Sequence, residues 1–194
     1  PNGTMVVDIG GGTVDIAVVS FNGIVKSASL KLAGNRFDSA IVKGVTQKYK
    51  ILIGDKTAEN AKKEIANVFN PTGKKITVKG RHLIKGLPES VEISDKDIYE
   101  FLIDEVMEIV DKIRSVFEQT PPELVGDILT SGIILTGGGA LLKGLPELVS
   151  KKVGAPCYVA DDAIECVAKG VQKAFKHADE LLDGFEKISL YRYK

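Results

Sequence analysis

The stretch from Met5 to Val19 constrains the fold more than any other part of this chain. Residues 5–9 are a short apolar run rich in β-branched side chains, which predicts a buried strand, and residues 16–19 predict a second. Gly10, Gly11 and Gly12 between them predict a tight turn, because glycine takes positive φ freely and lets another group approach the backbone. The product is a hairpin whose tip carries Asp8, Thr13 and Asp15. Small residues at such a tip aim several backbone N–H groups into one concavity, which suits phosphate oxygens. A plain hairpin turn would also account for three glycines. A buried strand that ends in aspartate adds a carboxylate in need of a partner, and hydrated Mg²⁺ beside a phosphate chain is one. The tip reads as half of a nucleotide-phosphate clamp.

The same grammar returns late in the chain. Residues 132–136 predict a buried strand, Gly137 to Gly139 a turn, and residues 140–153 a helix with Leu141, Leu145, Leu148 and Val149 inward. Strand, glycine turn and helix bring backbone N–H groups and the positive helix end to one point, an anion or ligand site. Between the two turns, residues 23–32 predict a third strand, and Phe37, Ile41 and Val45 fall on one helical face. Thr57 is the expected N-cap of a further helix with Ala58, Ala61, Ile65 and Val68 as its stripe. Residues 74–79 and 90–93 predict paired strands. A long helix follows from Ser94 to Gln119, with Ile98, Leu102, Val106, Ile109, Ile113 and Val116 at helical spacing. Pro121 and Pro122 end it and open a short helix. Residues 156–159 predict a last short strand, and Asp161 and Asp162 cap a final helix carrying Ile164, Val167, Val171 and Phe175, running on past His177. The expected class is α/β, with a main unit of residues 1–33 and 94–194 interrupted by a smaller α+β lobe, residues 34–93.

Composition narrows the function. Lys plus Arg number 26 and Asp plus Glu number 26, so the formal charge is zero, which argues against a nucleic-acid binder. No apolar run approaches a membrane span, and the first residues do not resemble a signal peptide. Cys157 and Cys166 lack metal-ligand spacing and read as buried structural thiols of a reducing compartment. His82 and His177 have no partner pattern, and surface or capping roles are expected of them. The chain opens on Pro1 and enters a strand within a few residues, the expectation for a piece of something longer.

With these residues in view, the chain resembles the actin-like ATPase superfamily and, within it, the bacterial cytoskeletal MreB family. Residues 7–13 look like the superfamily's second phosphate loop and residues 135–142 like its adenosine motif; residues 80–88, 120–128 and 159–168 carry the narrower likeness. The resemblance implies an actin-like (ribonuclease H-like) fold, the C-terminal half of a longer protein, and ATP or ADP with Mg²⁺ as cofactors. By position it implies Gly11, Gly12 and Thr13 as donors to the β- and γ-phosphates, and Asp8 as holder of Mg²⁺ through water. Gly138, Gly139, Ala140 and Leu141 would line the adenosine pocket. Glu59, Asn60, Ala61 and Lys62 match the stretch that reaches ribose and adenine, although an ordinary solvated helix pair would also explain Glu59 and Lys62.

Asp15 falls at the catalytic acid that polarises the attacking water. Val14 stands where the family usually has a threonine, and a missing hydroxyl there would weaken water positioning and hydrolysis. The partners implied are other subunits of the same kind in paired protofilaments, the missing N-terminal half, and a membrane surface, with no nucleic acid. The implied location is cytoplasmic, at the inner face of the cell membrane. Separately, residues 190–194 pair apolar and aromatic groups with two cations, which suits an auxiliary membrane contact, although a frayed tail or one packed on the body would also explain them. The function implied is a filament-forming, ATP-binding protein of cell shape. A small-molecule kinase of the same superfamily and a non-hydrolysing scaffold are the rival readings.

Overall fold

A computed structural model describes residues 3–21 and 23–176. The first hairpin forms as its alternation requires: β1 (Thr4–Ile9) and β2 (Val14–Ser20) pair antiparallel, with Met5, Val7, Ile9, Val14, Ile16 and Val18 all buried. β3 (Gly23–Leu30) extends the meander from β2. On the other side β1 pairs parallel with β7 (Ile133–Thr136), which pairs parallel with β8 (Cys157–Val159). The sheet order is therefore β3-β2-β1-β7-β8.

A second sheet, β4-β5-β6, is antiparallel and comprises Ile51–Leu52, Lys75–His82 and Pro88–Ser94. The helix α1 (Gly34–Tyr49) precedes it and α2 (Asp55–Ile65) follows β4, and α1 packs on both α2 and the long α3 (Asp95–Glu118). Gly44 of α1 permits that last approach, because a Cβ there would overlap the Phe101 ring. One continuous apolar core runs from the main sheet through Ile98, Leu102 and Ile109 of α3 to Phe37, Ile41, Ile51 and Ile65.

α3 begins with a capping box in which the Ser94 hydroxyl accepts from the Asp97 N–H and the Asp97 carboxylate accepts from the Ser94 N–H, at 2.7 Å for the latter. Pro122 occupies the first turn of α4 (Pro122–Ser131), and α5 (Leu145–Val153) ends at Gly154 in the left-handed region.

Several local expectations are corrected. α2 starts two residues before Thr57, with Gly54 at the cap position, because the N–H groups of Thr57 and Ala58 already bond back to Gly54 O. The segment after Gly137 is a four-residue 3-10 turn, Gly138–Leu141, and Leu141 is 54% exposed rather than inward. Gly144, in the left-handed region, separates that turn from α5. The last described helix, α6 (Cys166–Lys176), buries none of its residues, and Ile164, Val167, Val171 and Phe175 form an exposed apolar stripe. Its course past His177 and residues 190–194 lie outside the described residues.

Cys157 and Cys166 are free and half-buried, with burial and the nearby Glu147 pushing the Cys157 thiol up to about 12. His82 caps a turn: its Nδ1 accepts from the N–H groups of Ile84 and Lys85, each at 3.2 Å.

Candidate functional site

Topology brings the two glycine turns together. β1 and β7 are parallel neighbours with Asp8 beside Thr136, so the turns that follow them leave the same edge of the sheet. Crevices outside the carboxyl ends of parallel strands are where open α/β sheets bind ligands. Here the crevice measures about 450 Å³. Gly10 and Gly11 line one side, Gly138, Gly139, Leu141 and Leu142 another, and the start of α1 forms the floor with Gly34 and Asn35. α2 closes the remaining side with Glu59, Lys62 and Lys63.

The floor is tied to the loop by backbone bonds, Gly34 N–H to Gly10 O at 3.2 Å and Asn35 N–H to Gly11 O at 2.8 Å. Those bonds use the loop's carbonyls. Among the described residues no acceptor pairs the N–H groups of Gly11, Gly12, Thr13, Gly138 or Gly139, so these donors are available to a ligand.

The glycines serve different ends. None of Gly10, Gly11 and Gly12 has positive φ, contrary to the turn expected of them. A Cβ at Gly12 would meet nothing within 4 Å, and one at Gly11 would reach only the Asn35 side chain at 3.6 Å. The fold therefore does not demand glycine there; its absence of side chain leaves the N–H groups open. In the second turn the demand falls on the flanks. Gly137 has φ 81°, and a Cβ at Gly137 or Gly139 would overlap Ile9. A Cβ at Gly138 would meet nothing within 4 Å, so the space above it is cleft space.

Asp8 and Asp15 sit directly opposite each other across the β1–β2 pair, on the face away from Val7, Ile9, Val14 and Ile16. Asp8 accepts from the Thr136 hydroxyl at 2.9 Å, and Asp15 from the Thr13 hydroxyl at 3.1 Å. Facing carboxylates repel and call for a cation. Among the described residues no group of three or more His, Cys, Asp or Glu side chains could hold a metal alone. Two carboxylates at an open edge fit a Mg²⁺ ion that keeps its waters and takes further oxygens from a phosphate chain.

Not every expected residue reaches the cleft. Four consecutive helical residues turn through about 300°, so residues 59–62 cannot share a face. Glu59 and Lys62 line the cleft; Asn60 faces a separate groove with Thr57 and Glu64, and Ala61 is buried in the core. Ala140 is likewise buried, its N–H bonded to Gly137 O at 3.2 Å. Gly12 and Thr13 lie at the outer tip, with Gly12 beside Lys31 and Arg36 in a second shallow groove. Val14 points into the core with no exposed surface, so the missing threonine hydroxyl does not strip the cleft of a water-positioning group.

Residues not singled out by sequence reasoning also line the cleft, namely Asn35, Asp38, Lys143 and Ile164. Asp38 was detectable in principle, because Lys62 sits beside the apolar stripe of α2 and needs a counter-ion. The Glu59 carboxyl is held below its ordinary value by the hydrogen bond from Lys63, at 2.5 Å.

A mixed sheet with a glycine-tipped hairpin, a second glycine turn beside it and a second, antiparallel sheet with its helices defines the actin-like class of α/β proteins. The chain matches the MreB/Mbl protein family over residues 1–183 and belongs to it. It is 44% identical over 182 residues to the cell shape-determining protein Mbl of Bacillus subtilis, covering 93% of this chain and 55% of that protein. It is 44% identical over 178 residues to the cell shape-determining protein MreB of Escherichia coli, covering 91% and 51%. The chain thus spans about half the length of the curated relatives it matches. Among solved structures it resembles MreB5 of Spiroplasma citri bound to AMPPNP, with TM-score 0.88, 37% identity, and coverage of 94% of this chain and 55% of the other. The ADP-bound form of that protein gives TM-score 0.89. The MamK double helical filament, at 22% identity and TM-score 0.69, shares the fold.

Proposed function

We propose that this chain is the nucleotide-gripping half of an ATP-dependent, filament-forming protein that helps determine cell shape. The observation that carries the reading is the pairing of open N–H groups at Gly11 and at Gly138 and Gly139 across one cleft, with Gly12, Thr13 and the facing Asp8 and Asp15 at the adjoining hairpin tip. Gly11, Gly12 and Thr13 take the phosphates; Gly138, Gly139 and Leu141, with Glu59 and Lys62 opposite, take the adenosine. Asp8 would hold Mg²⁺ through water, and that ion would supply screening of the phosphate charge. Asp15, exposed beside Thr13, orients the attacking water. MreB5, with the same fold, was solved with AMPPNP and with ADP, which supports adenine nucleotide as the ligand.

The two sheets support a division into residues 1–33 with 94–194 and a smaller lobe of residues 34–93. The stripe at Ile164, Val167, Val171 and Phe175, exposed among the described residues, supports a further half of the same protein as its partner, closing the cleft. Self-association into paired protofilaments is the assembly. Among the described residues no helix is long and apolar enough to cross a membrane. A cytoplasmic protein working at the inner membrane face fits the shape-determining relatives.

Calorimetry and phosphate release on the full-length protein test the reading. Asp15→Asn is expected to keep ATP affinity within about threefold and to lower phosphate release by about a hundredfold or more. Wild-type protein that binds no ATP with Mg²⁺ contradicts the proposal.

A further inference from the structure

Both lysines on the α2 side of the cleft are matched by acids, but not in the same way. Lys63 pairs with Glu59 at the rim, and both side chains are well exposed, at 67% and 43%. Lys62 lies deeper, with its Nζ 2.7 Å from Asp38 Oδ1 and only 14% and 15% of the two side chains exposed. The ammonium also donates to Gly34 O at 3.2 Å and lies 6.0 Å from the Phe37 ring centroid. Asp38 Oδ1 is buried and receives no aligned hydrogen bond, so the ammonium answers it as a close but off-axis charge. Neither residue has another salt-bridge partner among the described residues, and both line the cleft. An exposed pair contributes little, whereas removing one member of a shielded pair leaves the other's charge uncompensated.

We propose that Asp38 is a specificity-determining residue of the nucleotide site: by cancelling Lys62 it keeps the α2 wall neutral, so that this wall takes the uncharged nucleoside and the phosphates go to the glycine loop. The inference rests on the reading of the cleft given above. A bare Lys62 would make the α2 wall a competing anion site, and a polyphosphate could then lie along the cleft in the wrong sense. Asp38 acts through Lys62 and serves to position its charge. The charge balance matters, and neither residue alone.

The test is the ratio of affinities for two separate pieces of the ligand, adenosine and inorganic tripolyphosphate, measured calorimetrically on the full-length protein. Asp38→Asn is expected to tighten tripolyphosphate by about tenfold, the effect of one unscreened charge at short range, and to leave adenosine equal or weaker. Removing both charges with Asp38→Asn and Lys62→Met together is expected to return the ratio to within about twofold of wild type. A purely structural role for Asp38 moves both ligands alike and is not reversed by the second substitution. Should the double variant unfold, the salt dependence of tripolyphosphate binding to Asp38→Asn decides, since an added cation contact steepens it. An unchanged ratio in Asp38→Asn, with ATP still bound, overturns the inference and leaves the nucleotide site standing. Failure of the wild type to bind ATP removes the site itself.

Discussion

At the scale of single residues, the second glycine turn separates fold from ligand more sharply than any other place in the molecule. Gly137 and Gly139 are held by Ile9, so alanine at either pushes on β1 and destabilises by about 1–3 kcal/mol. Gly138 has no such neighbour. Gly138→Val is therefore expected to fold with a melting temperature near wild type and to lose nucleotide affinity by about thirtyfold or more, because its branched side chain fills the space the ligand needs. Thermal melts and calorimetry on the same preparation check both halves. Ligand space alone is at stake there, since the left-handed conformation belongs to Gly137 and not to Gly138.

A second residue-scale consequence concerns pH. Burial works against ionisation of Asp97, but hydrogen bonds from Lys48, from the N–H and hydroxyl of Ser94, and from Tyr49 outweigh it and hold the carboxyl at about 2. The folded-state value is depressed from 3.8, so the stabilisation is present above that value and is lost as pH falls through about 2. The difference corresponds to about 2 kcal/mol. Urea melts of wild type and Asp97→Asn are expected to converge as pH falls between those two values, with wild type the more stable at neutral pH. Parallel curves across that window would remove Asp97 from the account of acid stability.

At the scale of elements, the contact between α1 and α3 depends on Gly44 lying against Phe101. Gly44→Ala, normally a helix-favouring change, is here expected to cost about 1–3 kcal/mol in denaturant melts. A gain in stability would show that the two helices approach differently.

The elements themselves were largely legible. β1, β2, α1 and α3 announce themselves because one face of each is buried by the chain's own core, and burial is what periodicity records. The failures share the opposite cause. α6 carries an apolar stripe that nothing described covers, so its pattern points to a partner rather than to the core. Leu141 was misplaced for a related reason: Gly137 and Gly144 confine the turn to four residues, and a 3-10 turn that short lays no helical stripe against the core. Position along the chain named Glu59 and Lys62, which line the cleft, but carried Asn60 and Ala61 with them, since a linear match ignores the rotation of a helix. Asp38, Lys143 and Ile164 come from three separate elements, and only the tertiary fold assembles them.

At the scale of the whole molecule, Thr13 and Asp15 are exposed at the hairpin tip beside the cleft, and among the described residues nothing covers the α6 stripe. Residues 1–194 alone are accordingly expected to bind ATP weakly, without steady hydrolysis, and to sediment as a monomer at micromolar concentration. Submicromolar affinity, turnover or a stable oligomer would each show that closure by a second half is unnecessary. The central claim joins nucleotide to assembly, and sedimentation of the full-length protein with Mg²⁺, with and without ATP, tests it most directly. The account expects polymer in the pellet with ATP, little without it, and none in either condition for Gly138→Val; equal pelleting by wild type and a folded Gly138→Val protein would contradict it.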